Sequence, residues 1–114
     1  MSAALPTTPG SAAPLFAALG DETRLGLVAR LSSEAAVSIS GLTAGTGVTR
    51  QAVTKHLQVL EEVGLVRGSR RGRESLWQLE PRPLDVARAY LELISTRWDE
   101  RIGRLVAHLE ADHR

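Results

Sequence analysis

The sequence predicts a mainly α-helical domain that carries one small β-hairpin and ends in a long C-terminal helix. Three observations predict it: apolar residues recur at three-to-four spacing over most of the chain, strand formers cluster only between Leu65 and Leu79, and no proline follows Pro83. At 114 residues there is room for one hydrophobic core. Hydrophobic residues make up 43% and charged residues 24%, which is ordinary globular usage and excludes a fibrous repeat or wholesale disorder. No apolar run approaches the ~18 residues of a membrane helix, so a cytoplasmic location without a membrane partner is expected. Phe16, Trp77, Tyr90 and Trp98 are the only aromatics, so the core has to be aliphatic.

Met1 to Pro14 holds no charged side chain and lacks the basic start and apolar run of a secretory signal. Residues 1–13 therefore read as a disordered tail before a single domain over 14–114. Leu15, Phe16, Ala18 and Leu19 form a short apolar helix closed by Gly20. Asp21 caps a second helix, Glu22 to Leu31, with Leu25, Val28, Ala29 and Leu31 as its buried stripe. Ser38 or Ser40 caps a third with Ile39 and Leu42 inward, although Gly41 and Gly45 each cost ~1 kcal/mol of helix propensity. Gly47 and Val48 make a tight turn, Thr49 caps a helix from Arg50 to Val63, and Gly64 closes it. Leu65 and Val66 open a strand that breaks at Arg71 and Gly72 and resumes from Glu74 to Leu79, a hairpin with an arginine-rich tip. Pro81 and Pro83 end it, and one helix runs from Leu84 to about Asp112.

The formal charge of +1 hides an uneven distribution. Residues 1–45 and 76–114 each carry a net −1, whereas 46–75 carry +3, with four arginines and no acid between Arg67 and Arg73. In the helix from Arg50, the core positions Val53, Leu57, Leu60 and Val63 rotate Arg50, Gln51, Thr54, Lys55 and Gln58 outward. Helix, turn, helix and basic hairpin is an arrangement that reads double-stranded DNA: the second helix enters the major groove and the hairpin reaches the adjacent backbone. Arg, Gln, Lys and Thr are the side chains that read base edges, and the hairpin arginines suit phosphate or a narrow minor groove.

In the C-terminal helix Leu84, Leu91, Trp98 and Leu105 repeat every seven residues, with Ala87 and Ile94 between them; Arg101 breaks the pattern, and Ile102 and Leu109 continue an apolar face. At 1.5 Å per residue this helix spans ~43 Å, more than a domain of this size covers by itself. A homodimer held by these residues, together with Leu15 and Phe16, is expected.

The segments LFAALGDETRLGLVARL (Leu15 to Leu31), VTRQAVTKHLQVLEEVGLV (Val48 to Val66) and RRGRESLWQLEP (Arg70 to Pro81) resemble the ArsR family of bacterial winged-helix repressors. WDERIGRL in the last helix is similar to a metal-independent branch of that family. The resemblance implies a winged helix-turn-helix fold and a homodimeric repressor on a palindromic operator. It places the recognition helix on Thr49 to Val63, with Arg50, Gln51, Thr54, Lys55 and His56 at positions that meet DNA, and the wing on Arg67 to Glu74. Ser38 and Ser40 stand where metal-sensing members carry paired cysteines. Asp99, His108, Asp112 and His113 lie along the last helix, but Arg101 stands where a second metal motif needs histidine. Gly45 and Thr46 depart from the family pattern, Thr46 replacing an apolar residue that packs the third helix.

Other chemistry is poorly supplied. With no cysteine there is no disulfide, thiolate metal site or thiol nucleophile, and Lys55, the one lysine, leaves no GK for a phosphate-binding loop. No GxSxG or HExxH motif is present, so no enzyme, metal or cofactor is expected. A winged-helix module that binds protein instead of DNA is the alternative reading, and an effector, small molecule or protein, has no signature in the residues.

Overall fold

The computed structural model describes residues 8–112 in the order α1 (Pro9–Leu19), α2 (Glu22–Leu31), β1 (Val37–Ser38), α3 (Ile39–Ala44), α4 (Arg50–Glu62), β2 (Val66–Arg71), β3 (Glu74–Leu79) and α5 (Pro81–Asp112). Each of the first four helices starts at a side-chain oxygen that accepts an otherwise unpartnered amide. Thr8, Asp21, Ser38 and Thr49 take the N–H groups of Ser11, Arg24, Gly41 and Ala52 respectively. Gly64, at φ 77°, turns the chain out of α4 in a conformation that side chains resist.

Four expectations change. The chain is helical from Pro9, so residues 9–13 are not a tail, and the rest of the expected tail that precedes residue 8 lies outside the described residues. Pro9 occupies the first helical turn, where its missing N–H costs nothing. In α2 the buried residues are Leu27, Val28 and Leu31, while Leu25 is 54% exposed and Ala29 also faces out. Position 24 completes that stripe at i, i+3, i+4 and i+7, and Arg24 fills it as described below. A third strand, β1, pairs with β3 (Val37 with Trp77, Ser38 with Leu76), so the sheet order is β1-β3-β2. Finally, α5 begins at Pro81, with Pro81 and Pro83 accommodated in its first turn.

The core joins Leu15 and Ala18 of α1, Leu27, Val28 and Leu31 of α2, Ile39 and Leu42 of α3, Val53, Leu57 and Leu60 of α4, Leu65 and Val66, and Val86 and Ala87 of α5. Phe16, Trp77, Leu79 and Leu84 pack against it from the rim. Leu15 and Ala87, expected at a dimer interface, are thus spent on the protomer's own core. Phe16 meets Tyr90 of α5 at a ring-centroid distance of 6.4 Å. The departure at Gly45 and Thr46 is locally compensated: Thr46 Oγ1 donates to the Thr43 carbonyl at 3.0 Å and accepts the Val48 N–H at 3.4 Å. Gly45 leaves room for Arg30, whose Nη1 would lie 2.7 Å from a Cβ at that position.

Beyond Tyr90, α5 leaves the body. Leu91, Ile94, Trp98, Ile102, Leu105 and Leu109 form one exposed stripe, joined by Val106, which the sequence pattern alone did not single out. The radius of gyration of 19.4 Å, against ~13 Å for a compact chain of this length, records the projection.

Candidate nucleic-acid interface

Val53, Leu57 and Leu60 are wholly enclosed on one side of α4, and helical geometry turns Arg50, Gln51, Lys55 and Gln58 outward on the other, where all four are exposed. Arg50 and Gln51 stand in the first turn, which contains no acid. Arg presents two donors to a guanine edge and Gln one donor and one acceptor to an adenine edge. Thr49 and Thr54 are partly committed to the helix itself. Thr49 Oγ1 accepts from Ala52 N–H at 3.1 Å, and Thr54 Oγ1 donates to the Arg50 carbonyl at 2.9 Å.

His56 is placed elsewhere. Its half-buried ring turns toward α2, with Nδ1 3.2 Å from Arg24 Nη1 and 3.8 Å from Asp21 Oδ2. Arg24 also donates from Nε to the Ala18 carbonyl at 2.6 Å and from Nη2 to that of Ala17 at 3.5 Å, so one guanidinium ties the end of α1 to the middle of α4. The Arg24 N–H on Asp21 holds the Asp21 carboxyl below its ordinary 3.8; it outweighs the opposing effect of desolvation, and the charges of Arg24 and His56 add to it.

In the wing, β2 and β3 pair without a bulge from Val66 with Leu79 to Arg71 with Glu74, leaving Gly72 and Arg73 as a two-residue connection. Gly72, at φ 65°, occupies the position that such turns reserve for glycine. The pleat then separates the arginines. Arg67 and Arg71 share a face with Gln78 and Glu74, Arg70 lies on the opposite face with Ser75, and Arg73 is at the tip. Arg67 is further occupied by an ion pair of its Nε with Glu80 Oε1 at 3.2 Å. The four arginines expected to act alike therefore divide, with Arg70, Arg71 and Arg73 left to reach outward.

Two residues outside the expected set shape this surface. Arg24 is missed by a stripe drawn through Leu25, although the spacing of Leu27, Val28 and Leu31 leads back to position 24. Glu61, whose Oε2 accepts the Gly68 N–H at 3.1 Å, left no signal in the sequence, because its partner is a main-chain group. Of the residues compared with metal ligands, Ser38 is an N-cap, His108 and Asp112 pair with each other at 3.5 Å on α5, and His113 lies outside the described residues.

A helix pair, an exposed basic outer face and an arginine-bearing hairpin define a winged helix-turn-helix transcriptional regulator. Residues 19–69 match a family described as a helix-turn-helix domain. The uncharacterized HTH-type transcriptional regulator YuzN of Bacillus subtilis (strain 168) is 36% identical over 81 residues, covering 66% of this chain and 88% of that protein. An ArsR-like transcriptional regulator from Rhodococcus sp. RHA1 superposes with a TM-score of 0.71 at 36% identity, over 84% of this chain and 90% of that one. The homodimeric winged helix-turn-helix domain of Mb0332 from Mycobacterium bovis shares the fold, with a TM-score of 0.60 at 24% identity over 83% and 84% of the two chains. The chain belongs to the ArsR family of winged helix-turn-helix transcriptional regulators, and its family and fold are those of regulators, not of enzymes.

Proposed function

We propose that this chain is a sequence-specific DNA-binding repressor that acts as a homodimer on a palindromic operator and does not sense metal through cysteine. The observation that carries the reading is the joint exposure of Arg50, Gln51, Lys55 and Gln58 on α4 and of Arg70, Arg71 and Arg73 on the adjoining wing. Arg50 and Gln51 read bases, Lys55 and Gln58 extend the contact along the groove, and the wing arginines hold phosphate. Thr49 and Thr54 lie along the same approach, while Arg67 contributes charge from within its ion pair with Glu80.

The homodimer is supported by the α5 stripe from Leu91 to Leu109, whose large apolar side chains one chain leaves open. Leu84 and Phe16 lie where that stripe meets the body. Pairing two copies spaces the recognition helices ~34 Å apart, one turn of DNA. The unit that acts runs from α1 to the end of α5, and the compartment of action is that of DNA, the cytoplasm.

Fluorescence anisotropy with the upstream region of the chain's own gene against a random duplex, across salt concentrations, tests the reading. A preference of ~10³ or more with steep salt dependence is expected. Weak binding without preference would remove the repressor reading in favour of a winged-helix module that binds a protein partner.

A further inference from the structure

The cleft between the C-terminal end of α4 and the wing, about 240 Å³, is lined by Glu61, Gly68, Ser69, Arg70, Ser75 and Trp77. An acid there is unexpected on a surface built for a polyanion, and the strand geometry explains its presence. Among the described residues the sheet order β1-β3-β2 leaves one edge of β2 unpaired. The Glu80 N–H donates to the Leu65 carbonyl at 2.9 Å, and with Gly68 opposite Trp77 the alternation of an antiparallel ladder directs the Gly68 N–H away from β3, to that free edge. Glu61 Oε2 accepts it at 3.1 Å. Gly68 and Trp77 thus form a non-hydrogen-bonded pair, in which side chains stand closest, and a Cβ at Gly68 would meet the indole at 3.0 Å. Only glycine leaves the indole flat on β2, and the same residue offers its amide to α4.

We infer that Glu61 is a positioning residue for the wing: its carboxylate fixes the angle between the recognition helix and the hairpin, so that α4 and the wing arginines meet one duplex together. The inference rests on the DNA reading above. It opposes the simple electrostatic expectation, because removing an acid from a DNA-binding face should by charge alone tighten binding. Two substitutions separate the effects. Glu61→Gln removes the charge and keeps an acceptor for the Gly68 N–H, whereas Glu61→Ala removes both.

The test measures affinity for a duplex that the parent protein has itself enriched from a randomised pool, in the Arg73 and the Arg73→Ala backgrounds, with hydrogen exchange at the Gly68 amide. Glu61→Gln is expected to bind at least as tightly as the parent. Glu61→Ala is expected to bind about 3- to 10-fold more weakly than Glu61→Gln, the effect of one positioning hydrogen bond. That gap should shrink in the Arg73→Ala background, because a wing without its tip arginine has one phosphate contact fewer to lose from misplacement. Gly68 exchange should quicken in Glu61→Ala and stay slow in Glu61→Gln. Equal affinities of the two Glu61 variants, or a gap indifferent to Arg73, overturn the positioning role and leave the DNA reading intact. No enriched duplex for the parent protein overturns both.

Discussion

Arg24 Nη1 lies 3.2 Å from His56 Nδ1, and through this contact the guanidinium joins three helices: it is rooted in α2, donates to the last carbonyls of α1 and meets the middle of α4. A histidine on a recognition helix is easily taken for a reader of DNA. Here it is a strut. His56→Ala is therefore expected to lower stability by about 1 kcal/mol, the size of one net hydrogen bond, while leaving the base preference unchanged. Denaturant unfolding and binding-site selection on the same variant check both halves.

Asp21 makes the same junction sensitive to acid. Its carboxyl is held below 3.8 in the folded chain, chiefly by the Arg24 N–H, so on acidification the unfolded chain takes up that proton first. The contribution is complete above 3.8 and is lost as pH falls through the folded value. Asp21→Asn keeps a good helix cap and removes the titration. Urea unfolding between about pH 2 and 6 should show a shallower acid limb for that variant than for the parent.

Base reading and backbone holding should respond differently to mutation. Gln51→Ala or Arg50→Ala should cost ~1 to 3 kcal/mol on the preferred duplex and little on random DNA. Arg71→Ala or Arg73→Ala should weaken both alike and lower the salt slope by ~1 for each phosphate that is no longer neutralised. Arg67→Ala, already paired with Glu80, should change the slope least. Anisotropy titrations at several salt concentrations distinguish the groups, and equal losses throughout would erase the division.

Two glycines make opposite predictions. A Cβ at Gly68 would meet the Trp77 indole at 3.0 Å, whereas at Gly26 on α2 it would meet nothing within 4 Å. Gly68→Ala should destabilise by ~1 kcal/mol or more through overpacking, and Gly26→Ala should stabilise by ~0.5 to 1 kcal/mol by restricting the unfolded chain. Thermal unfolding of the two single variants gives the sign of each.

The stripe on α5 carries the dimer prediction. Leu105→Glu places a charge within it, on a side chain 53% exposed in the single chain, so the protomer should keep its fold. Sedimentation equilibrium should then show a dimer for the parent and a monomer for the variant.

Much of this was legible in the sequence, for definite reasons. Thr49 and Gly64 bracket α4, and Gly72 sets the hairpin turn, because capping oxygens and left-handed backbone are local requirements. Leu25 departs from its expected inward place because the stripe passes instead through Arg24, an amphipathic residue whose head is satisfied by main-chain carbonyls. The two-residue strand β1 left no mark because its pairing partner, β3, is distant in sequence. For the interface, residue type named the basic face, but only the pleat of β2 and β3 could separate Arg70 from Arg71, and only packing could take His56 away from it.

The open stripe on α5 also makes abundance a physical variable. If copies shelter it only in one another, folding and assembly share a single free energy, and the melting temperature rises with protein concentration. While the chain is dilute enough to be mostly monomeric, the dimer population grows as the square of the chain concentration. Occupancy of a two-half-site operator then starts late and climbs steeply, a threshold written into the side chains from Leu91 to Leu109 with no effector required.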